Sequence, residues 1–435
     1  MASIVILMKV IFIKFIILIC FEKSMQNLID KNIEIQNPDP ILIGGNFYNS
    51  FSNKFKIIGR LEKDLQNNIT LFDWPGSSVI FEIIGTCDEI YLDLKSQNDY
   101  FSVYYNDVFK FKINSSSLGL IKIKPAEKNL KIELTKATEP LMSNDYVRFK
   151  GIYLVGKCEL KENPRGKAKL IEYIGDSITC GFGVEQLRNK TITLDTSSIV
   201  TAYPGILAKK LDADYYAICA SGMGVTHSSG YNGVGLVSQY YNRNYFHSNN
   251  ITTSITTNPD YIIICLGTND WFYIKKYYYE TQMIDKFVDY FKLFLIQVRF
   301  LNPIKNGIIP PIVVLGLGTS TAAVASSKKE MEEISTKMNP WIKNAVNLAA
   351  GKDREIYYLE VSATPFIDYN DDRDFGAGNH WSVRGSEKFA NGVYSNLLNF
   401  TSIFDGTPQN QLQKNYFFIR CDYFVLIIFI IIILF

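Results

Sequence analysis

Five short apolar runs that alternate with helix-like segments constrain the fold of this chain most strongly. The runs are Leu170–Ile174, Tyr215–Cys219, Tyr261–Leu266, Ile312–Leu315 and Ile356–Val361. Continuous apolar strands of this kind are typical of a parallel sheet covered by helices on both faces. Helical periodicity lies between them, at Ala202–Leu211, Thr281–Leu301, Lys328–Ala350 and Ser382–Phe400. The pattern predicts a three-layer α/β/α domain with a five-stranded parallel sheet over residues 168–402, with ligands beyond the carboxyl ends of the strands.

The chain before residue 160 has a different texture. Short strands that mostly alternate apolar and polar residues, separated by turn residues, are typical of an all-β sandwich. They are predicted at Val79–Ile84, Glu89–Leu94, Phe101–Tyr105, Leu120–Lys124 and Leu130–Leu134. We therefore predict an N-terminal β-sandwich domain over residues 41–160, joined to the second domain by the polar linker Lys161–Lys167.

The composition excludes several classes of protein. Hydrophobic residues make up 47% of the 435 residues and aromatic residues 14%, which excludes a disordered chain. The 45 basic and 43 acidic side chains leave a formal net charge of +2 without a basic stripe, so no nucleic-acid partner is expected. Only three histidines are present, and they are scattered, so a catalytic metal has few ligands available. No cofactor is expected.

Both ends of the chain are apolar. Residues 1–24 are predicted to be a signal peptide, with an N-terminal anchor as the alternative. Residues 403–435 read as a polar spacer and an apolar tail that is too short to span a bilayer unaided, which fits a GPI signal or a tail anchor. A secreted or cell-surface glycoprotein also agrees with five glycosylation sequons, at Asn68, Asn114, Asn189, Asn250 and Asn399.

The cysteines give a weaker signal. Cys87 and Cys158 bracket the predicted sandwich and could pair, although sequence alone does not fix the pairing. Cys219 and Cys265 lie in apolar strands and are predicted to be buried thiols.

Four residues with catalytic chemistry follow strands of the predicted parallel sheet. Ser177 comes after the first strand, Gly222 after the second, Asn269 after the third and His380 after the last. Taken singly, each is typical of an ordinary turn or helix cap. Together they supply a nucleophile, a general base and donors for an oxyanion.

This order of residues resembles the four sequence blocks of the SGNH (GDSL-type) hydrolase family, over about Lys169–Phe400. The block at 175–185, GDSITCGFGVE, is more closely similar to family 2 of the carbohydrate esterases, which includes acetyl xylan esterases. That group carries an N-terminal β-sandwich, often of jelly-roll form. The segments that resemble this module are Gly59-Arg60, Phe72–Ser77, Tyr100–Val103, Thr138–Pro140 and Phe149–Ile152.

The resemblance implies a role for each of the four residues. Ser177 matches the nucleophile and His380 the general base, while the Ser177 N–H, Gly222 and Asn269 match the oxyanion donors. It also implies removal of acetyl groups from acetylated polysaccharides or oligosaccharides such as xylan and glucomannan.

The acid of a Ser-His-Asp triad is missing from its usual place. Ala377 stands three residues before His380, where many SGNH enzymes have aspartate. Family 2 members similarly tend to lack this acid and use a Ser–His dyad, with a backbone carbonyl orienting the imidazole. We expect the dyad here, with Asp372 or Asp374 as the alternative orienting acid.

Other functions and contacts stay open at this point. A lipid esterase or thioesterase of the same superfamily would need a long apolar channel, and an inactive carbohydrate-binding surface protein would use the sandwich alone. Trp271 and Trp381 are candidate substrate contacts; Trp271 could stack on a sugar ring or pack in the core. Of the remaining histidines, His227 is expected near the cleft and His247 in solvent.

Overall fold

The computed structural model describes residues 33–36, 45–115, 120–125, 127–252, 255, 257–303, 309–317, 328–351, 355–361, 367 and 370–398. The predicted signal peptide and the apolar tail lie outside these ranges. Over the described ranges, no helix combines the length and apolar character needed to cross a membrane. The described residues up to Ser395 belong to one compact unit. Four of the five sequons lie at exposed positions, Asn68, Asn114, Asn189 and Asn250, while Asn399 lies outside the described residues.

An antiparallel sheet domain comes first, as predicted. Its strands are β1 (Ile33–Gln36), β2 (Asn46–Asn49), β3 (Lys56–Ile58), β4 (Glu62–Asp64), β5 (Ile69–Phe72), β6 (Ser78–Lys95), β7 (Asp99–Tyr105), β8 (Val108–Ser115), β9 (Leu120–Ile123), β10 (Lys131–Lys136) and β11 (Val147–Leu160). The first part of β6 pairs with β3 and β10, and its later part pairs with β9 and β11. Residues from both parts of β6 bury their side chains in one apolar core.

The two predicted strands Val79–Ile84 and Glu89–Leu94 are in fact one continuous strand, β6. Gly85 lies between them and has a φ of +93°. A Cβ at this position would stand 2.3 Å from the carbonyl oxygen of Lys157 on β11, so the glycine permits close strand approach and does not end the strand. The disulfide between Cys87 and Cys158 joins β6 to β11 and confirms the pairing left open by the sequence.

The second sheet has the predicted five parallel strands. They are β12 (Lys169–Gly175), β13 (Ala213–Cys219), β14 (Tyr261–Cys265), β15 (Ile312–Leu315) and β16 (Ile356–Leu359). Their order is β13-β12-β14-β15-β16, and every neighbouring pair is parallel. All residues of β14 and β15 are buried, as expected for strands covered on both faces.

Helices form in the four predicted segments, one of them with an interruption, and four further helices within the described ranges were not predicted. The α-helices are α1 (Pro140–Ser143), α2 (Ser177–Cys180), α3 (Tyr203–Lys210), α4 (Val237–Tyr240), α5 (Thr268–Lys276), α6 (Thr281–Leu301), α7 (Lys328–Glu333), α8 (Asn339–Ala350) and α9 (Val383–Leu398). A π-helical turn, Ile334–Met338, separates α7 from α8. Pro340 lacks the N–H that a continuous helix would use, which accounts for the irregular turn before it. Short 3₁₀ turns lie at Leu194–Thr196, Tyr231–Gly233, Asp372–Asp374 and Ala377–Asn379.

The N-terminal domain covers the outer edge of the parallel sheet. β13 is the edge strand, and its Ala217 N–H donates to the carbonyl of Pro75 at 2.9 Å. Gly76, with φ +82°, brings the backbone so close that a Cβ there would stand 3.0 Å from Cα of Tyr216. This contact satisfies a backbone donor that an open edge would leave to solvent.

A buried ion pair joins the same two domains. Arg60 donates to the Glu172 carboxylate at 2.7 Å, and both side chains are almost completely buried. The hydroxyls of Tyr216 and Tyr241 donate to the same carboxylate at 2.5 and 2.7 Å. Because breaking a buried pair leaves an uncompensated charge, separating the two domains at this contact would be unfavourable.

Candidate active site

Ser177 begins α2 directly beyond the carboxyl end of β12. The side chain of Asp176 caps this helix by accepting from the Ile178 N–H at 3.0 Å. Gly175 has no room for a side chain, since a Cβ there would stand 1.9 Å from Oγ1 of Thr179. The tight turn therefore leaves Ser177 half-buried at the mouth of the sheet.

His380 meets this serine from the far end of the chain. It follows the 3₁₀ turn Ala377–Asn379 and precedes α9, whose first turn is capped by Ser382 accepting from Gly385 N–H at 3.1 Å. Nε2 of His380 lies 2.8 Å from Oγ of Ser177. Burial lowers the pKa of His380 to about 4, so near neutral pH the ring is an uncharged base next to the hydroxyl.

Neither aspartate considered as an orienting acid is bonded to His380 within the described parts of the chain. Asp372 pairs with Arg188 at 2.8 Å. Asp374 is fully buried and pairs with Arg384 and Lys388 of α9. The backbone of Ala377 and Gly378 faces the imidazole instead and favours its charged form, without reaching hydrogen-bond geometry at Nδ1.

The backbone N–H groups of Ser177 and Gly222 are the candidate main-chain donors to an oxyanion. Gly222 follows β13 with φ +83°, and a Cβ there would stand 2.0 Å from Oγ of Ser229, so only glycine fits. In the portion of the chain that the structure describes, the N–H groups of Ser177 and Gly222 donate to no other group. Both can therefore donate to an oxyanion.

Asn269 lies in the first turn of α5, beyond β14. Its Nδ2 donates to the carbonyl of Met223 at 2.9 Å and lies 3.5 Å from the Asp176 carboxylate. An amide nitrogen carries two hydrogens, and the long contact leaves the second one weakly used. Asn269 thus contacts the residue before Ser177 and the residue after Gly222, so the structure brings the predicted residues together.

The sequence did not single out Asp270. Its buried carboxylate accepts from the N–H groups of Val225, Thr226 and His227 at 2.9, 2.6 and 2.9 Å. It therefore fixes the loop that follows Gly222. The sequence signal that could have identified Asp270 is an acidic residue directly after Asn269, in the first helical turn. Its hydrogen-bond partners lie more than forty residues away in the chain, and sequence periodicity does not reveal contacts of that kind.

The structure does not support the expectation that Trp271 and Trp381 contact the substrate. Trp271 is 0% exposed, against Trp341 and Tyr279, and Trp381 is 3% exposed, against Tyr203 and Phe389. Both rings fill the core, where no sugar can reach them.

Two aromatic residues, Phe182 and Tyr231, lie beside the site. The ring of Phe182 lies 5.2 Å from that of His380 and 5.7 Å from that of Tyr231. Tyr231 is 39% exposed, and its Cβ lies beside Gly222. These two rings form an aromatic wall next to the imidazole.

Two of the remaining sequence expectations are also corrected. His247 is only partly exposed, because its Nδ1 lies 2.8 Å from the buried carboxylate of Asp73. Cys219 is not a free thiol but forms a disulfide with Cys180, since β13 and α2 end next to each other with the two Cα atoms 5.8 Å apart. Cys265 is the expected buried thiol.

Comparison with curated proteins gives two relatives. The chain is 27% identical over 231 residues to the cellulase/esterase CelE of Acetivibrio thermocellus, a match that covers 52% of this chain and 27% of CelE. It is 27% identical over 212 residues to an acetylxylan esterase / glucomannan deacetylase of Cellvibrio japonicus, covering 46% of this chain and 56% of that protein. The matches thus span about a quarter and just over half of the relatives' lengths.

Solved structures share this fold over most of the chain. A family two carbohydrate esterase from Clostridium thermocellum in complex with cellohexaose superimposes with a TM-score of 0.66 at 22% identity, covering 80% of this chain and 99% of that one. A family two carbohydrate esterase from Cellvibrio japonicus gives a TM-score of 0.66 at 16% identity, covering 83% and 98%. At these identities the likeness shows a common fold.

The sequence model of the GDSL-like lipase/acylhydrolase family matches residues 171–393, which is more than half of the chain. The matched range includes Ser177, Gly222, Asn269 and His380. The chain belongs to the GDSL-like lipase/acylhydrolase family.

Proposed function

We propose that this protein is a serine esterase that removes acetyl groups from polysaccharides of the xylan or glucomannan kind. The observation that carries the proposal is the 2.8 Å contact between Ser177 Oγ and a neutral, buried His380. The substrate class is supported by the acetylxylan esterase / glucomannan deacetylase among the relatives and by the shared fold of family two carbohydrate esterases.

In the first half of the reaction, Ser177 Oγ attacks the acetyl carbonyl carbon while Nε2 of His380 takes the hydroxyl proton. The carbonyl oxygen becomes an oxyanion. The N–H groups of Ser177 and Gly222 and the amide of Asn269 donate to it. His380, now charged, then gives its proton to the sugar oxygen. The sugar leaves as an alcohol, and an acetyl-enzyme remains.

In the second half, a water molecule attacks the acetyl-enzyme with His380 again as the base, and acetate leaves. The burial that lowers the pKa of His380 makes its charged form a strong acid, which suits protonation of a sugar alkoxide. We propose that the backbone of Ala377 and Gly378 orients the ring without a carboxylate, since Asp372 and Asp374 are engaged elsewhere.

The aromatic wall of Phe182 and Tyr231 is the proposed substrate surface. Aromatic faces pack well against the apolar faces of sugar rings and against a methyl group. Tyr231 is partly exposed and lies beside Gly222, so it is placed to contact the sugar while Phe182 lies next to His380.

An extracellular or cell-surface location goes with this function. Two disulfides, Cys87–Cys158 and Cys180–Cys219, support folding in an oxidising compartment. Four exposed sequons agree with passage through the secretory pathway. Attachment to a membrane through the C-terminal tail stays a prediction from the sequence.

Ester chain length separates the proposed activity from its alternatives. The purified protein is assayed with 4-nitrophenyl acetate, with a long-chain 4-nitrophenyl ester, and with acetylated xylan and glucomannan, with Ser177→Ala as the control. Turnover of the acetyl substrates alone supports the proposal. Preference for the long-chain ester would indicate a lipid esterase, and binding of glycan without any turnover would indicate an inactive carbohydrate-binding protein.

A further inference from the structure

We infer that Glu139, which belongs to the N-terminal domain, is a positioning residue for the oxyanion-binding site of the α/β domain. The inference rests on the proposed function, because Gly222 and Asn269 matter only if an oxyanion forms between them. Glu139 lies directly before α1, at the point where the N-terminal domain reaches the end of β13.

The contact is short, buried and made by both carboxylate oxygens. Oε2 of Glu139 accepts from the backbone N–H of Ser221 at 2.5 Å, and Oε1 accepts from the Ser221 hydroxyl at 2.6 Å. Glu139 is 1% exposed and Ser221 is 3% exposed. One side chain therefore fixes both the backbone and the side chain of a single residue across the domain boundary.

Ser221 is next to the proposed donor. The peptide group that joins Ser221 to Gly222 carries the N–H that would face the oxyanion. On the other side of Gly222, the carbonyl of Met223 accepts from Asn269 at 2.9 Å. Gly222 is thus held from both sides, by Glu139 and by Asn269. Oxyanion donors stabilise a transition state because they are oriented before it forms, so a loosened Gly222 would be a weaker donor.

Adhesion between the domains does not require this carboxylate. The Arg60–Glu172 pair already joins the domains, and Asp73 of the N-terminal domain accepts from the N–H groups of Phe246 and His247 at 2.6 and 3.1 Å. Lys136, the cation that acts on Glu139 electrostatically, forms its own ion pair at 2.6 Å with another carboxylate, Asp99. Burying a carboxyl group costs free energy because the group leaves water. Since other contacts already join the domains, this burial fits a role in positioning Gly222 better than a role in adhesion between the domains.

The test compares Glu139→Ala with a matched control, Asp73→Ala. Asp73 is also a buried carboxylate of the N-terminal domain that accepts backbone N–H groups of the α/β domain, but it contacts Phe246 and His247, which are outside the proposed site. For each folded variant, kcat and KM are measured with 4-nitrophenyl acetate, together with the rate of inactivation by an organophosphonate, whose adduct places an oxygen among the oxyanion donors.

We expect Glu139→Ala to lower kcat and the phosphonate inactivation rate by roughly 10- to 100-fold with little change in KM, somewhat less than the loss of a donor itself. Asp73→Ala should change neither by more than about twofold, since it removes a comparable contact away from the site. Equal effects of the two substitutions, or an effect of Glu139→Ala on KM alone, would overturn the inference.

Two further variants apply if Glu139→Ala does not fold. Glu139→Gln keeps the shape, one acceptor for the Ser221 N–H and a donor for its hydroxyl, so activity should stay within about threefold of wild type. Glu139→Asp keeps the carboxyl group but is one methylene too short to hold both groups, so kcat should fall. The reverse order of these two variants would overturn the inference. A wild-type protein without esterase activity would overturn the proposed function, and the inference with it.

Discussion

Oγ of Ser177 and Nε2 of His380 lie 2.8 Å apart although 203 residues separate them in the chain. The contact exists because β12 delivers the serine and the loop before α9 delivers the histidine to the same edge of the parallel sheet. This pair is the centre of the proposed chemistry, and its environment makes the chemistry testable.

The pH profile should show an acid limb well below that of an ordinary histidine. Only the neutral imidazole can act as the base, and burial lowers the pKa of His380 to about 4. Activity should therefore persist as the pH falls through 6 and 5 and be lost as the ring becomes protonated near pH 4. The check is kcat/KM for 4-nitrophenyl acetate against pH, with circular dichroism to establish that the fold survives. A midpoint at or above 6.5 would contradict the buried, neutral base.

Asn269→Ala should reduce kcat by roughly 10²–10³ with little change in KM, the usual cost of one oxyanion donor. The physical reason is that its amide meets the oxyanion only in the transition state. Steady-state kinetics with an aryl acetate measure this directly. A change confined to KM would mean that Asn269 binds the substrate in its ground state.

The dyad predicts small kinetic effects at the nearby aspartates. Replacing the acid of a true triad by asparagine costs about 10⁴ in kcat, whereas Asp372→Asn and Asp374→Asn should each cost less than about tenfold. Asp374→Asn should also lower the free energy of unfolding, because it removes the buried partner of Arg384 and Lys388. Kinetics and denaturant unfolding separate the two effects. Loss of activity in a folded variant of either aspartate would replace the dyad with a triad.

The stability of wild type relative to Glu139→Gln should depend on pH. Burial raises the pKa of Glu139 to about 7 from an ordinary value of 4.5. The folded state therefore favours the protonated carboxyl, and the stabilisation present below pH 4.5 is lost as the pH rises through 7. Relative to the glutamine variant, wild type should lose on the order of 3 kcal/mol between pH 4.5 and pH 8. Urea unfolding of both proteins at several pH values measures this difference in stability. A difference that stays constant over this pH range would mean that Glu139 is ionised throughout and would contradict its raised pKa.

Much of the fold follows from local pattern, which is why it could be predicted. Apolar runs identify the strands of the parallel sheet, and α6 has the predicted bounds, Thr281–Leu301. Ser177 could be predicted because it lies directly beyond an apolar strand, where ligands of such sheets bind. His380 is separated from β16 by a long loop, and it was identified from the order of the four sequence blocks. Strand β6 was divided wrongly at Gly85, because a glycine that permits close approach has the same sequence signal as one in a turn.

Other contacts between distant segments could not be predicted. Glu139 meets Ser221 across 82 residues and a domain boundary, and nothing in either segment indicates the partner. Trp271 was considered as a sugar contact, but its burial depends on Trp341 from a separate helix. The pairing of Cys180 with Cys219 similarly depends on where α2 and β13 end in space.

The most direct test of the proposed function is the release of acetate from acetylated xylan and acetylated glucomannan by the purified protein, with Ser177→Ala as the matched control. Wild type should release acetate from at least one of the two polysaccharides. The variant should fold equally well and lose nearly all of this activity, because it lacks the nucleophile. Equal release by wild type and Ser177→Ala would contradict the assignment of the nucleophile, and no release by wild type from either polysaccharide would contradict the proposed function.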